Sequence, residues 1–130
     1  EYTSIAIGSD TFPVVSYFDV ANGDLKAYHC VSVDCSSGAA FTLDSTGSVG
    51  QYTSIAIGSD TFPIISYFDA TNADLKVHRC TALDCSSGVA STLDSGGNVG
   101  EFSSIAIGSD NFPIVSKPKQ ISVIDGAPWR

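Results

Sequence analysis

The heptapeptide SIAIGSD occurs three times in this chain of 130 residues, at a spacing of 50. It is part of a longer repeat, because residues 51–100 match residues 1–50 at 34 of 50 positions without a gap. Self-similarity at this period is typical of architectures in which one supersecondary unit stacks on the next. The repeat therefore predicts full units at 1–50 and 51–100, a partial unit at 101–116 and a divergent tail at 117–130.

Each unit contains four short segments of strand composition separated by turn residues. YTSIAIG and FPVVSYFD are rich in β-branched and aromatic residues and are linked by a turn that begins with GSD. DLKAYHC follows through ANGD, where Asn, Gly and Asp tolerate the positive φ of a hairpin turn, and AFTLDS is the fourth segment. No segment has helical periodicity. The sequence predicts an all-β chain of four-stranded antiparallel units.

A four-stranded meander of this length is the unit of a β-propeller blade. A β-sandwich and a β-solenoid are the alternatives, but solenoid coils are usually shorter and a sandwich does not require nearly identical units. We therefore expect a β-propeller-type fold with two full blades and a partial third. Propellers close with about 4–8 blades, so either the chain is a fragment of a longer propeller or several copies assemble. Two copies around a twofold axis would give six blades, which favours a homodimer.

The segments SIAIGSDTFPVVSYFDVANGDLKAYHC and SIAIGSDTFPIISYFDATNADLKVHRC resemble the repeats, about 50 residues long, of secreted or surface-attached microbial β-propeller proteins. The resemblance covers residues 1–116 and implies a scaffold more than an activity. The turn SDTF departs from the family, which usually has a glycine there. The residues that carry the resemblance most densely are Pro13, Ser16, Tyr17, Asp19, Asp24, Leu25 and Lys26.

Four cysteines lie in two equivalent settings, CVSVDC and CTALDC. A cysteine pair that recurs with its repeat is most simply a local disulfide, which implies an oxidising compartment and an extracellular or cell-surface location. Zinc is the rival reading, since His29 and His78 lie nearby, but no second ligand pair follows and the two histidines differ by one position in the repeat. The predicted disulfides are Cys30–Cys35 and Cys80–Cys85.

The charge balance excludes some partners. The chain has 14 acidic and 6 basic side chains, a net charge of −8, and no run of Lys or Arg, so nucleic acid is not an expected partner. No apolar segment reaches the roughly 18–20 residues of a membrane span. The chain contains no Met, so we expect a processed chain or a fragment.

The sequence offers no catalytic constellation. A G-x-S-x-G elbow is absent and the histidines differ in repeat phase, so a Ser-His-Asp triad has little support. The acidic residues recur with the repeat, which favours structural roles such as turn capping by Asp10 and its copies, and by Asp24 and Asp74 at the next hairpin. We expect no enzymatic activity and no cofactor. Calcium at DVANGD is the nearest alternative, although the EF-hand spacing is absent.

Carbohydrate is the one small ligand that the residues suggest. Aromatic faces stack on sugar rings and carboxylates accept hydrogen bonds from hydroxyl groups. The competing interpretation is that aromatic residues of a blade fill the space between adjacent sheets. The candidate residues are Tyr17, Asp19, Tyr67 and Asp69.

The tail KPKQISVIDGAPWR breaks the repeat but contains QISVID, a plausible strand. We expect the tail to add a strand or a clasp, within the chain or onto a neighbour, with Ile121, Val123 and Trp129 as assembly residues. A disordered tail is the alternative. The favoured function is a secreted, non-enzymatic binding and assembly module. A subunit of an extracellular filament and a fragment of a larger propeller enzyme are the competing functions.

Overall fold

Antiparallel strands make up the structure, a computed structural model that describes residues 1–118 and the backbone of 120–123. The described residues contain no helix, so none of them forms an apolar helix long enough to cross a membrane. The all-β prediction is confirmed. The strands are β1 (Ser4–Ile7), β2 (Pro13–Asp19), β3 (Asp24–Cys30), β4 (Gly38–Asp44), β5 (Val49–Ile57), β6 (Pro63–Asp69), β7 (Asp74–Cys80), β8 (Gly88–Asp94), β9 (Ser104–Ile107), β10 (Pro113–Lys117) and β11 (Gln120–Val123).

The strands form three antiparallel sheets in chain order. Sheet 1 has the order β1-β2-β3-β4, sheet 2 the order β5-β6-β7-β8, and sheet 3 contains β9, β10 and β11 with β10 in the centre. Every strand pairs with its neighbour in sequence, as in a meander. The register recurs as well, since Ile5 pairs with Val15 in sheet 1 and Ile55 with Ile65 in sheet 2. This is a β-propeller-type fold with two four-stranded antiparallel units and a third unit of three described strands.

The heptapeptide supplies the last residues of the first strand in each sheet and the turn that follows. Asp10 Oδ1 accepts a hydrogen bond from the backbone N–H of Phe12 at 3.1 Å, and Asp60 and Asp110 make the equivalent bond at 3.1 and 3.0 Å. A carboxylate that accepts from the N–H two residues on stabilises a tight turn. The predicted capping role of these three residues is confirmed.

The second hairpin of each unit is capped by the aspartate that ends its second strand. Asp19 Oδ1 accepts from the N–H of Ala21 at 3.1 Å, and Asp19 Oδ2 accepts from Asn22 Nδ2 at 2.9 Å. In the second unit, Asp69 Oδ2 accepts the equivalent hydrogen bond from Asn72 Nδ2 at 2.8 Å. The sequence predicted this role for Asp24 and Asp74, whereas the bonds are made by the aspartates five positions earlier.

Burial shows that the sheets stack face to face. All seven residues of β6 are buried, whereas in β2, which has nearly the same sequence, buried and half-buried residues alternate. The difference arises because, among the described residues, sheet 2 has a neighbouring sheet on each face and sheet 1 has one on a single face. Apolar clusters fill both spaces between sheets. A single unit therefore cannot bury its own apolar surface, as expected for a stacked repeat.

Part of the divergent tail completes sheet 3. β11 pairs with β10, with Ile121 opposite Ser116 and Val123 opposite Ile114. The strand expected in QISVID is therefore present and lies within the same chain. The side chains of Ile121 and Val123 and the whole of Trp129 lie outside the described residues, so their role in assembly stays a prediction.

Candidate functional site

The two interfaces between sheets use equivalent residues of the repeat. We call the face of a sheet that meets the preceding sheet its leading face, and the opposite face its trailing face. In both interfaces, the trailing face of one sheet packs against the leading face of the next sheet. The residues of the second interface are those of the first shifted by 50 positions. The first interface packs Val14, Leu25 and Ala27 against Ile55, Ile65 and Tyr67. The second packs Ile64, Leu75 and Val77 against Ile105 and Val115.

A pair of hydroxyl groups lies buried in each interface. Thr53 Oγ1 donates to Ser16 Oγ at 2.9 Å in the first, and Ser103 Oγ donates to Ser66 Oγ at 3.2 Å in the second. All four residues are at most 7% exposed. Buried polar groups are costly unless they are paired, so these bonds favour one alignment of the two faces over others.

The heptapeptide strands lie side by side across the interfaces. The N–H of Ile55 donates to Ser4 Oγ, and the N–H of Ile105 donates to Ser54 Oγ, both at 3.2 Å. The first and second heptapeptides thus each accept a hydrogen bond from the next copy. This contact gives a reason for the recurrence of the segment, since the second copy must fit both the first and the third.

Asp44 is the centre of a buried polar cluster in the first interface. Its Oδ2 accepts from Tyr67 Oη at 2.6 Å and from Lys76 Nζ at 2.7 Å, and its Oδ1 accepts from Thr46 Oγ1 at 2.6 Å. Burial alone would raise the pKa of Asp44, but the hydrogen bonds from Lys76, Thr46 and Tyr67 outweigh it and lower the pKa to about 2. Burial and the neighbouring Asp44 carboxylate raise the pKa of Tyr67, which stays a hydrogen-bond donor.

The second interface replaces this cluster with one ion pair. Asp94 occupies the position of Asp44, and Lys117 occupies the position of Tyr67. Lys117, which is 7% exposed, pairs directly with Asp94. The repeat breaks at Lys117, yet the substitution provides the cation that Lys76 supplies in the first interface. The start of the divergent tail is therefore part of the sheet packing.

The two end faces of the stack expose the residues that the interfaces bury. On the leading face of sheet 1, Ile5 is 63% exposed, whereas Ile55 and Ile105 are 6% and 7% exposed. Thr3, the counterpart of Thr53, is exposed too. These positions have nearly the same sequence context in each unit, so the difference arises because no described sheet covers the leading face of sheet 1.

The trailing face of sheet 3 is open in the same sense. Ser116 is exposed, whereas its counterparts Ser16 and Ser66 are fully buried. Opposite Ser116 lies Ile121, at the register position that Ala27 takes opposite Ser16. Among the described residues, one leading face and one trailing face of the kind that pair in the interior are therefore uncovered.

The four predicted carbohydrate residues fall into two separate pairs. Tyr67 is fully buried and Asp69 is 3% exposed, while Tyr17 and Asp19 are half-buried. Tyr67 fills the space between sheets, as the competing interpretation proposed, and both aspartates cap turns. Tyr17 is partly accessible because none of the described sheets covers it. Sugar binding by Tyr17 and Asp19 stays a prediction, and a sheet packed on Tyr17 would exclude it.

The cysteines form the two predicted local disulfides, Cys30–Cys35 and Cys80–Cys85. The two histidines have different surroundings. His29 Nε2 lies 2.6 Å from Asp10 Oδ2, next to the first turn. His78 is 3% exposed, and neither of its ring nitrogens has a hydrogen-bond partner among the described residues. An unsatisfied buried polar group costs about 1–3 kcal/mol, so His78 requires an explanation.

His78 lines a cleft of about 210 Å³ between β4 and the loop closed by the second disulfide. Thr42 and Leu43 form one wall, and Ser86, Ser87 and Gly88 form the other. Burial lowers the pKa of His78, and the effects of Asp44 and Lys76 oppose each other. Sequence reasoning considered this histidine as a zinc ligand and as a member of a catalytic triad, and favoured neither role. The available signal was that the two repeats differ there, with Tyr28 in the first.

Within residues 1–118 no three His, Cys, Asp or Glu side chains form a group that could hold a metal ion. The zinc alternative used the cysteines that are oxidised here. The calcium alternative at DVANGD is not tested by the structure, where Asp19 and Asn22 bond to each other.

These sheets and interfaces define a β-propeller-type repeat protein. A solved structure, a fucose lectin from Kordia zhangzhouensis in complex with methyl-fucoside, aligns with 95% of this chain and 97% of its own, at a TM-score of 0.49 and 10% identity. No protein-family model and no curated protein matches the chain. At this similarity the lectin does not assign a family, and the likeness of residues 1–116 to microbial blade repeats stays a resemblance.

Proposed function

We propose that the protein is an extracellular assembly module whose open leading face binds the open trailing face of a second copy. One observation supports this most strongly: the same positions are buried at both internal interfaces and exposed at the two ends. Ile5 would pass from 63% exposed to the 6–7% of Ile55 and Ile105. Burying an isoleucine contributes about 1.5–3 kcal/mol, so the open ends favour association.

A second copy supplies the surface that the internal interfaces specify. In the contact between copies, Thr3 of one copy would occupy the position of Thr53, and Ser116 of the other copy would occupy that of Ser16. Their hydroxyl groups would then form a pair like that of Thr53 and Ser16, whose oxygens lie 2.9 Å apart. Two copies bring six sheets together, within the range of about 4–8 in closed propellers. In such a ring the two contacts between copies are equivalent by twofold symmetry.

The proposed extracellular location and the proposed binding role rest on separate observations. Two disulfides in a small chain are typical of oxidising, extracellular surroundings. The carboxylates with assigned contacts cap turns or pair across sheets, which supports a binding role and not a catalytic one. A head-to-tail contact that does not close would instead propagate as a filament.

The Ile5→Glu variant tests this contact. We expect the unmodified chain to run as a dimer and the variant as a monomer of unchanged fold. A carboxylate at a contact worth about 2 kcal/mol or more lowers the affinity by at least about thirtyfold. Light scattering after size-exclusion chromatography measures the mass, and circular dichroism checks the fold.

Val20→Glu is the matched control. Val20 is 58% exposed but lies outside the strands, in the turn after β2, so its variant should remain dimeric. A monomeric unmodified chain at all accessible concentrations would contradict the proposal. Long polymers would retain the head-to-tail contact and overturn the closed ring.

A further inference from the structure

We propose that His78 makes the packing of the second disulfide loop against sheet 1 sensitive to acid, so that this loop moves away from sheet 1 when the pH falls below neutral. The second disulfide loop is residues 80–88, which contain Cys80–Cys85 and one wall of the cleft beside His78. The contact lies within one chain, so the inference does not depend on the assembly proposed above.

The burial of His78 suits a neutral ring and not a charged one. The residue is 3% exposed, and its Nδ1 and Nε2 atoms are buried without a hydrogen-bond partner among the described residues. A protonated imidazole carries two N–H donors and a positive charge. Burying an unpaired charge costs far more free energy than burying a neutral polar group. Protonation in this position is therefore strongly unfavourable.

The nearest elements offer the ring no compensating partner. In the antiparallel register, Ile65 of β6 and Ala90 of β8 lie opposite His78 on its two sides. The cleft beside the ring is lined by residues without a formal charge. The side chains packed around His78 therefore provide hydroxyl groups and apolar surface but no carboxylate directly bonded to it.

The charged groups nearby are occupied with other partners. Burial lowers the pKa of His78 from its ordinary value of 6.5, while Asp44 of β4 raises it and Lys76 of β7 lowers it. Asp44 and Lys76 are bonded to each other at 2.7 Å. Asp84 of the loop accepts from the backbone N–H of Ser86 at 2.9 Å. Burial therefore decides the direction of the shift.

The backbone of Gly88 is packed against the ring. A Cβ added to Gly88 would lie 2.4 Å from Nε2 of His78, so the loop leaves no space for a further group there. Water reaches this nitrogen when Gly88 moves away from it. Hydration of a protonated ring thus requires the loop to shift, and the adjoining cleft of about 210 Å³ between β4 and the loop gives room for that movement.

The first repeat contains the same contact without a group that titrates near neutral pH. Tyr28 has the position of His78, and Gly38 has that of Gly88. A Cβ added to Gly38 would lie 2.6 Å from Cε1 of the Tyr28 ring. A ring packed on a glycine is thus common to both repeats, and a phenol stays neutral in this pH range. The acid sensitivity is therefore specific to the second loop.

The sign of the pH dependence follows from the lowered pKa. Below about pH 6.5 the open or unfolded chain binds a proton at His78 that the closed chain does not. The stability that neutral His78 contributes is therefore complete above about pH 6.5 and is lost as the pH falls below it. Each pH unit in this range lowers the folding equilibrium constant by up to about tenfold. Asp44, whose pKa is about 2, titrates at lower pH.

Urea denaturation between about pH 7 and about pH 5, at one protein concentration, is the first test. We expect the midpoint to fall over this range for the unmodified chain and for His29→Gln. It should stay level for His78→Phe, which keeps a ring but cannot titrate, and for His78→Gln, which covers the case in which Phe disturbs the packing. Midpoints that fall equally in the unmodified chain and in both His78 variants would overturn the proposal.

NMR spectroscopy over the same pH range tests where the chain opens. The chain has two histidines, so His78 is the remaining one in the His29→Gln variant. In this variant we expect the amide resonances of residues 86–88 to shift as the pH falls, while those of residues 36–38 in the first loop stay in place. Unchanged resonances at 86–88, or equal shifts in the two loops, would overturn the assignment of the acid-sensitive contact to the second loop.

Discussion

Replacing Asp44 with Ala should cost about 3–5 kcal/mol of the free energy of unfolding, measured by urea denaturation. Asp44 is 5% exposed, and its carboxylate accepts hydrogen bonds from Tyr67 and Lys76 of sheet 2. Its removal leaves the Lys76 ammonium, whose side chain is 13% exposed, without its partner. Breaking a buried ion pair by removing one partner is more damaging than removing both, because the remaining charge is left uncompensated.

A double-mutant cycle separates this account from a simple packing loss. Asp44→Ala combined with Lys76→Met should cost less than the sum of the two single variants. Asp34→Ala is the control, since Asp34 is exposed in the first disulfide loop and bonds only to nearby Ser32 and Ser36 among its assigned contacts. A cost for Asp44→Ala no greater than that for Asp34→Ala would contradict the assigned role.

The lowered pKa of Asp44 predicts that the protein loses stability at acid pH. The pKa of Asp44 is about 2 in the folded chain against an ordinary value of 3.8, so its contribution of about 2 kcal/mol is complete above about pH 4. That contribution is lost as the pH falls from about 4 to about 2, because in this range the unfolded chain binds a proton that the folded chain does not. Asp44→Asn should remove this part of the pH dependence.

Replacing Gly50 with Ala should be about as damaging as the loss of Asp44, at about 3–5 kcal/mol. Gly50 has a φ of +109°, a conformation that side-chain-bearing residues rarely adopt. An added Cβ would also lie 2.7 Å from the Cα of Leu25, a fully buried residue of β3. The variant thus combines backbone strain with a clash that no side-chain rotation relieves.

Gly97→Ala is the matched control, measured in the same denaturation experiment. Gly97 has the same φ of +109°, but a Cβ there would meet nothing within 4 Å. Gly97→Ala should lower the free energy of unfolding by about 1–3 kcal/mol, which is the cost of backbone strain alone. The difference between the two variants therefore measures the cost of placing a Cβ close to Leu25. Equal costs would mean that the packing of Gly50 against β3 contributes nothing.

Local features of this fold could be predicted from the sequence. The strands follow from β-branched composition between turn residues, and the Asp10 cap follows because its hydrogen bond spans two residues. The period of 50 residues predicted that units stack. The assignment of the second cap to Asp24 was wrong because Asp19 and Asp24 flank the same turn and composition does not distinguish them.

Contacts between sheets could not be predicted in the same way. Tyr67 bonds to Asp44 across 23 residues, and only the stacking of two sheets brings them together. The pattern of the repeat shows that both residues recur, but not that they face each other. Lys117 was placed in a divergent tail because it ends the sequence match, although it pairs with Asp94 inside an interface. That His78 has no hydrogen-bond partner within the described part of the chain likewise depends on which side chains surround it in three dimensions.

Cross-linking between copies tests the proposed assembly most directly. Thr3→Cys and Ser116→Cys would be made in separate chains, mixed and oxidised, with Ser16→Cys/Thr53→Cys in one chain as the internal standard, since those hydroxyl oxygens lie 2.9 Å apart. Head-to-tail assembly predicts a covalent pair in the mixture and no cross-link from either variant alone. A mixture that stays uncross-linked while the internal standard forms its disulfide, or a Thr3→Cys chain that pairs with itself, would contradict the head-to-tail contact.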